Sequence, residues 1–156
     1  ELVRVLRKQV DVKVRCFGEE RNETDTFAYR HPSNFDRANG ALQTLATLGR
    51  QGHRTIAVLG QMAELGQYST EEHDQLGRLV VRYNIDKLYV VGQNAKLIHM
   101  SATQEGSWDG ESEFYENASA AFDAINAKLA PGDIVLVKSS NVSGLRYLGD
   151  ELAGIA

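Results

Sequence analysis

Three short polar segments carry the side chains in this sequence that are best suited to bind a charged ligand. The first segment, residues 60–66, places the amide of Gln61 and the carboxylate of Glu64 between two glycines. A carboxylate at that position can hold the ammonium group of a substrate. The same spacing also fits a surface loop in which Glu64 contacts only water, and the residues alone leave both interpretations open.

The second segment, residues 138–144, is rich in hydrogen-bond donors. It contains the ammonium group of Lys138, the amide of Asn141 and the hydroxyl of Ser143, and a helix is predicted to follow. This set suits a carboxylate or a phosphate group. The alternative is a turn in which Ser143 only caps the helix. The third segment, residues 92–96, is more typical of a helix amino terminus.

The sequence lacks the motifs of several enzyme classes. It has no Gly-x-x-x-x-Gly-Lys-Ser/Thr phosphate loop and no Gly-x-Gly-x-x-Gly turn after a strand, so we expect no ATP-dependent activity from the chain alone. No His, Cys, Asp or Glu residues have the spacing of metal ligands, and no Gly-x-Ser-x-Gly nucleophile elbow occurs. The acidic neighbours of His73 indicate a solvated or capping side chain, and nothing assigns a role to Trp108.

The overall composition is that of an ordinary globular domain. The 156 residues are 42% hydrophobic and 24% charged, with a formal net charge of −4 at pH 7, which argues against a nucleic-acid partner. The single cysteine, Cys16, excludes an intrachain disulfide and favours a reducing compartment. No apolar run approaches the ~20 residues of a membrane span. We therefore expect a cytoplasmic protein.

Hydrophobic periodicity predicts a succession of strands and helices. Residues 1–9 have helical spacing, and a start inside a helix indicates a piece of a longer chain. Ser33 or Asn34 can cap a long helix, and Ser69 with Glu72 matches a capping box. The other predicted elements are strands at 12–17, 55–60, 87–92, 114–115 and 134–138, helices at 35–48, 69–83, 95–100, 117–129 and 144–152, and a surface loop at 101–112.

This order predicts the α/β class in a three-layer, Rossmann-like arrangement, with an open, mostly parallel sheet and helices on both faces. The strands at 55–60, 87–92 and 134–138 are continuous apolar runs, which is typical of strands buried on both faces. In such a sheet, ligands bind beyond the carboxyl ends of the strands. Because the three polar segments follow these strands, we expect them at the ligand-binding edge.

Two longer motifs resemble a known family. Residues 56–66 read I-A-V-L-G-Q-M-A-E-L-G and are followed by Ser69 and His73. This is similar to the V-x-G-D-M-x-E-L-G and S-x-x-x-H motifs of the Mur ligase family, with Gln61 in place of Asp. Residues 131–140, P-G-D-I-V-L-V-K-S-S, are similar to the family's P-G-D-x-V-L-V-K-G-S. The resemblance is to the MurF type and covers most of the chain.

The resemblance implies the carboxy-terminal domain of a ligase of peptidoglycan precursor synthesis. The implied reaction adds the dipeptide D-Ala-D-Ala to UDP-MurNAc-tripeptide through an acyl-phosphate. ATP and Mg²⁺ would be bound mainly outside this chain, with ATP on a phosphate loop of the central domain and the UDP-sugar on the amino-terminal domain, while this domain closes over the site. The implied contacts to the dipeptide come from Gln61, Glu64, Lys138, Asn141 and Ser143.

The family usually opens this domain with D-D-x-Y-N-A-N-P-D-S, whose two Asn residues reach the nucleotide. In this sequence Tyr29 and His31 stand at those two positions. The resemblance implies that Tyr29, His31 and Asn34 face the nucleotide, with an aromatic or imidazole ring stacking on the adenine. Residues 1–26 are interpreted as a remnant of the central domain or as a linker, and residues 27–156 as the substrate-binding domain.

Two alternatives to an active ligase of this type remain open. The first is a non-catalytic binding domain that kept the fold, which the changed positions Tyr29 and His31 favour. The second is a related Mur ligase that adds a different amino acid. The sequence M-A-E-L-G at residues 62–66 argues against a ligase that adds a different amino acid.

Overall fold

The computed structural model describes residues 3–7, 10–17, 33–106, 111–140 and 143–154, with the backbone alone in the first two ranges. The strands are β1 (Val3–Arg7), β2 (Val10–Phe17), β3 (Thr55–Leu59), β4 (Lys87–Val91), β5 (Ser112–Tyr115) and β6 (Ile134–Ser140). The helices are α1 (Asn34–Gly49), α2 (Ser69–Arg82), α3 (Lys96–Gln104), α4 (Ala118–Lys128) and α5 (Leu145–Ala153). In these ranges, no helix is both long and apolar enough to cross a membrane.

The described strands form one open sheet in the order β1-β2-β6-β3-β4-β5. β1 and β2 are antiparallel, and each other neighbouring pair is parallel. The register of β3 on β6 aligns Ile56 with Val135 and Leu59 with Lys138. The five strands from β2 to β6 therefore end at the same edge, and the prediction of an open, mostly parallel sheet is confirmed.

Helices cover both faces of this sheet. One apolar cluster joins Leu136 of β6 to residues of α1, α2 and α3, and a second joins Val135 and Val137 to residues of α4 and α5. Successive side chains of a strand point to opposite faces, so β6 contributes to both clusters. Every residue of β6 is buried, as expected for a strand covered on both sides. The predicted three-layer arrangement is confirmed.

The helices α1 and α2 begin in different ways. Ser33 caps α1, since its hydroxyl oxygen accepts from the Asp36 amide at 3.1 Å and its own amide donates to the Asp36 carboxylate at 2.9 Å. The predicted capping box of Ser69 and Glu72 is wrong. A 3₁₀ turn runs directly into α2, so Ser69 already has helical backbone angles, and Tyr68 holds the cap position without a side-chain hydrogen bond.

The start of the described chain is a strand, so the helix predicted at residues 1–9 is wrong. Val3–Arg7 pairs along its whole length with β2. Val3 and Val5 are β-branched and alternate along β1, which is typical of a strand. The pairing with β2 outweighs the helical spacing of the apolar residues Leu2, Val3 and Leu6. The predicted strand at residues 12–17 is confirmed as part of β2. The proposed division of the chain near residue 26 stays a prediction.

The polar loop predicted at residues 101–112 is shorter than expected. α3 continues to Gln104, and β5 already begins at Ser112. The small polar residues after Met100 extend a helix whose inner side chains, Ile98 and Ala102, are buried, so burial on one face outweighs the polar composition. Trp108 lies outside the described residues.

Gly77 allows α2 and α3 to approach closely. A Cβ at Gly77 would lie 2.0 Å from Ser101 Oγ and 2.2 Å from the Ile98 carbonyl oxygen. We predict that Gly77→Ala lowers the free energy of unfolding by about 2 kcal/mol, because overpacking costs more than the gain in helix propensity. Urea denaturation followed by circular dichroism measures this difference.

Gly40 in α1 provides the matched control for this prediction. A Cβ at Gly40 would have no heavy atom within 4 Å, so Gly40→Ala is expected to raise the free energy of unfolding by about 0.5–1 kcal/mol through helix propensity alone. If the two alanine variants changed stability in the same direction and by the same amount, the close contact of α2 with α3 would not be the cause.

Candidate functional site

The turn after β3, residues 60–65, lies at the centre of the candidate site. Two backbone hydrogen bonds tie this turn to β6. The Gly60 amide donates to the Lys138 carbonyl at 3.0 Å, and the Ser140 amide donates to the Gln61 carbonyl at 2.7 Å. These bonds continue the parallel pairing of β3 with β6 beyond the end of β3. The first two predicted segments therefore adjoin at the carboxyl edge of the sheet.

Side chains from the starts of two helices hold the middle of the same turn. Asn34 of α1 donates its side-chain amide to the Ala63 carbonyl at 2.6 Å. His73 of α2 accepts a hydrogen bond from the Met62 amide at 3.1 Å through Nε2. The turn is thus bonded on both sides of residues 62–63, and its backbone position is set by α1 and α2 as well as by β6.

The third predicted segment also contacts this turn. Asn94, which follows β4, donates its side-chain amide to Oε1 of Gln61 at 3.2 Å. Since Oε1 accepts from Asn94, Nε2 of Gln61 can donate to a ligand. The same segment forms a 3₁₀ turn that begins α3, in agreement with its interpretation as a helix start. All three polar segments meet at one edge of the sheet.

Glu64 is the exposed carboxylate of the turn. Its backbone φ is +62°, in the left-handed region that residues other than glycine rarely adopt. Met62 and Leu65 are buried, with 1% and 8% of their surfaces exposed, and they anchor the turn in the core around Glu64. A strained backbone of this kind persists only where the surrounding contacts fix it. Binding of substrate by Glu64 stays a prediction.

Lys138 lies near the carboxyl end of β6 and is only 1% exposed. It is two residues from Leu136, so it shares the face of the sheet that is covered by α1, α2 and α3. An ammonium group in such a position must be compensated by hydrogen bonds or by an opposite charge. A direct contact of Lys138 with substrate also stays a prediction.

Ser143 is engaged in the turn between β6 and α5. Its hydroxyl group lies 2.5 Å from Ser139 Oγ and 2.8 Å from the Ser140 carbonyl oxygen. The Leu145 amide, at the start of α5, lies 3.5 Å from the same hydroxyl oxygen. The cap position of α5 is held by Gly144 without a side-chain hydrogen bond, so Ser143 is bonded within the turn and does not cap the helix. Its predicted role in dipeptide binding is not tested by these contacts.

His73 belongs to the buried face of α2. Only 3% of its surface is exposed, so the expectation of a solvated side chain is wrong. Burial lowers the pKa of His73, and the nearby Ser69 carbonyl, 2.6 Å from Nδ1, acts in the opposite direction. His73 has helical spacing to the buried Leu76 and Val80, and this spacing is the sequence signal that could have revealed its burial.

Carboxylates gather where α1 and α2 begin. Burial raises the pKa of Glu72, and the carboxylates of Asp36 and Glu71 raise it further. Oε2 of Glu72 is buried without a hydrogen-bond partner. Asn34 and His73 attach the starts of α1 and α2 to the turn of residues 60–65. The carboxylates at these helix starts therefore favour a cationic group over an anionic group beside the turn.

Three of the predicted site residues, Tyr29, His31 and Asn141, lie outside the described residues. Asn34, the third residue predicted to face the nucleotide, is described, and its side-chain amide is bonded to the turn. Its contact with a nucleotide stays a prediction. Within the described ranges, no three His, Cys, Asp or Glu side chains are grouped as metal ligands would be.

The chain is similar in sequence to proteins of one family. A family model described as "Mur ligase, glutamate ligase domain" matches residues 29–141. A UDP-N-acetylmuramoyl-tripeptide--D-alanyl-D-alanine ligase of Mycobacterium leprae is 39% identical over 135 residues, which cover 78% of this chain and 26% of that protein. The ligase of the same name from Mycobacterium tuberculosis is 40% identical over 136 residues, covering 77% of this chain and 27% of that protein. The chain thus spans about a quarter of the length of these relatives.

Solved structures share the fold. A crystal structure of MurF from Acinetobacter baumannii has a TM-score of 0.71 and 20% identity, and the match covers 98% of this chain and 30% of that one. The MurF ligase from Thermotoga maritima in complex with ADP has a TM-score of 0.64 and 19% identity, over 97% of this chain and 30% of that one. At this level of identity the likeness establishes the fold alone.

The two serines near α5 give a test of whether the Ser143 hydroxyl stabilises the turn through its hydrogen bonds. We predict that Ser143→Ala lowers the free energy of unfolding by about 1 kcal/mol, because it removes the hydroxyl that bonds within the turn. Ser140→Ala is the matched control and should cost close to nothing, because the Ser140 Oγ is buried without a hydrogen-bond partner. Urea denaturation compares them, and a larger loss for Ser140→Ala would contradict this interpretation.

Proposed function

The chain belongs to the Mur ligase family, and we propose that it is the carboxy-terminal domain of a MurF-type ligase. The proposed reaction joins D-Ala-D-Ala to UDP-MurNAc-tripeptide. The observation that carries this proposal is the 39–40% identity to two ligases of that name over 77–78% of the chain. Because the chain spans only 26–27% of those proteins, the complete reaction would require the remaining domains of a longer ligase.

The role proposed for this chain is to bind the dipeptide and bring its amine to the activated tripeptide. D-Ala-D-Ala carries an ammonium group at one end and a carboxylate at the other. The exposed carboxylate of Glu64 suits the ammonium end, and the acidic starts of α1 and α2 add to this preference. The donors Gln61 Nε2 and Lys138 suit the carboxylate end, together with Asn141 and Ser143 from the resemblance.

Activation of the tripeptide is assigned to the rest of the ligase. ATP would supply the phosphoryl group that activates the tripeptide carboxylate, Mg²⁺ would neutralise charge on the phosphates, and both would be held mainly outside this chain. This assignment is supported by the absence of a phosphate loop from the 156-residue sequence. The isolated chain is accordingly expected to release no phosphate from ATP. A cytoplasmic location is proposed with this function.

A second candidate function is a non-catalytic binding domain with the same fold. The replacement of both nucleotide-reaching Asn residues by Tyr29 and His31 favours this candidate. The two functions differ in what the full-length protein contains, since a phosphate loop upstream of this chain is needed for the ligase. A ligation assay of the full-length protein with UDP-MurNAc-tripeptide, ATP and a panel of amino acids and dipeptides also tests for a different amino substrate.

Calorimetric titration of the chain with D-Ala-D-Ala tests the proposed dipeptide site. We predict that Glu64→Gln weakens binding about threefold to tenfold, because it removes the charge that faces the ammonium group of the dipeptide. Lys138→Met should weaken binding as well, and the free energy of unfolding of this variant must be measured because Lys138 is buried. The readout is the dissociation constant at neutral pH.

Asp123→Asn is the matched control for the loss of charge. Asp123 is an exposed carboxylate on α4, which packs on the face of the sheet opposite to α1 and α2. Its replacement should leave the dissociation constant within about twofold of the original value. Equal weakening by Glu64→Gln and Asp123→Asn would reduce the role of Glu64 to a general electrostatic one, and no binding of D-Ala-D-Ala to the unaltered chain would contradict the proposed site.

A further inference from the structure

One imidazole ring connects the turn of residues 60–65 to the first turn of α2. Nε2 of His73 accepts a hydrogen bond from the Met62 amide at 3.1 Å, and Nδ1 lies 2.6 Å from the Ser69 carbonyl oxygen. A carbonyl oxygen only accepts and an amide only donates, so Nδ1 carries the proton and Nε2 carries the lone pair. The two contacts together require the neutral ring in a single tautomer.

We propose that His73 is a positioning residue for substrate binding, whose neutral imidazole fixes the turn that presents Gln61 and Glu64 to the amine substrate. When His73 takes up a second proton, the turn is released and binding weakens. This proposal rests on the proposed function for the identity of the ligand. His73 itself is buried and acts through the backbone of the turn.

The dependence of Glu64 on His73 follows from the order of hydrogen bonds along the turn. His73 holds the Met62 amide, and Asn34 holds the Ala63 carbonyl, which belongs to the same peptide unit as the Glu64 amide. These two bonds fix the peptide planes that lead into the left-handed backbone of Glu64. Release of the Met62 amide leaves that strained conformation with less support, so the carboxylate is held less firmly.

Protonation breaks the contact because it turns an acceptor into a donor. A second proton on Nε2 would face the Met62 amide hydrogen. Burial lowers the pKa of His73 in the folded chain, while the Ser69 carbonyl acts against this shift. The neutral form therefore contributes stability that is fully present above the ordinary histidine pKa and is lost as the pH falls through the lowered pKa.

Charged and titratable residues lie on α2 itself and on α1 and α3, which pack against it. At the starts of these helices they are Asp36 and Arg37 on α1, Glu71, Glu72 and Asp74 on α2, and Lys96 and His99 on α3, and Glu64 lies in the turn. The shift of the His73 pKa has two causes, burial and the Ser69 carbonyl, and none of these charged groups is among them. The Met62 amide, which contacts His73 directly, is therefore the signal that distinguishes titration of His73 from titration of the carboxylates.

Nuclear magnetic resonance of the 156-residue chain tests the positioning contact without ligand. The imidazole nitrogen shifts of His73 should show a protonated Nδ1 and an unprotonated Nε2 at neutral pH. As the pH is lowered from neutral until the ring of His73 has titrated, the amide signal of Met62 should move with the same midpoint as that ring. A proton on Nε2 at neutral pH, or a Met62 amide that does not follow His73, would overturn the proposal.

Two substitutions separate positioning from packing. In His73→Gln, the side-chain oxygen can accept from the Met62 amide at the place of Nε2 and does not titrate. In His73→Asn, the side-chain amide can still donate to the Ser69 carbonyl but does not reach Met62. We expect His73→Asn to weaken D-Ala-D-Ala binding about tenfold at neutral pH, and His73→Gln to retain it and to lose the weakening at acid pH.

His99→Gln serves as the control histidine. His99 also has its pKa lowered by burial, and it contacts Ser112 at 2.6 Å, away from the turn. This variant should keep both the affinity and the acid weakening of the unaltered chain. If His73→Asn bound as tightly as His73→Gln, the positioning role would be wrong. If the unaltered chain bound no D-Ala-D-Ala at any pH, the proposed function would fail, and the Met62 titration would still decide the role of His73.

Discussion

The backbone pairing of β3 with β6 continues past the end of β3, and the candidate site depends on this continuation. The Gly60 amide donates to the Lys138 carbonyl and the Ser140 amide donates to the Gln61 carbonyl, so the polar segments that follow both strands are held side by side. Gly60 makes this approach possible, since a Cβ there would lie 2.8 Å from Ser139 Cβ and 3.3 Å from Leu145 Cδ2. A larger residue at position 60 would force β6 and α5 away from the turn.

The residues that fix the backbone of the turn of residues 60–65 differ in burial from Glu64, which lies in the same turn. Met62 and His73 are buried, and their contacts belong to the core under α2. Glu64 is exposed and has a left-handed backbone. The strain at Glu64 is therefore offset by the contacts of other residues of the same short turn.

The sequence predicted most of the fold, because continuous apolar runs and helical stripes are local signals. The strand at Val3–Arg7 was not predicted. The spacing of its apolar residues is compatible with a helix and with a strand, and only the pairing with β2 decides between them. The capping box predicted at Ser69 and Glu72 is absent because a 3₁₀ turn precedes α2 directly and Ser69 already lies inside the helix. The burial of His73 was not predicted because its acidic neighbours suggested an exposed position. Its helical spacing to the buried Leu76, three positions further along α2, was the signal for burial. The contacts of Asn34 and Asn94 with the turn join residues that are far apart in sequence.

The presence of Gln61 where the family has Asp changes the charge of the turn. A carboxylate only accepts hydrogen bonds, whereas the amide of Gln61 accepts from Asn94 and keeps a donor for a ligand. The turn therefore loses one negative charge and gains a group that suits a carbonyl or carboxylate oxygen. Glu64 is the single acidic residue of residues 60–65, so in the proposed function the ammonium group has one carboxylate in this segment to bind. Under that proposal, the geometry of Glu64, and hence the contacts that fix its backbone, are more consequential in this chain than in a relative with Asp at position 61.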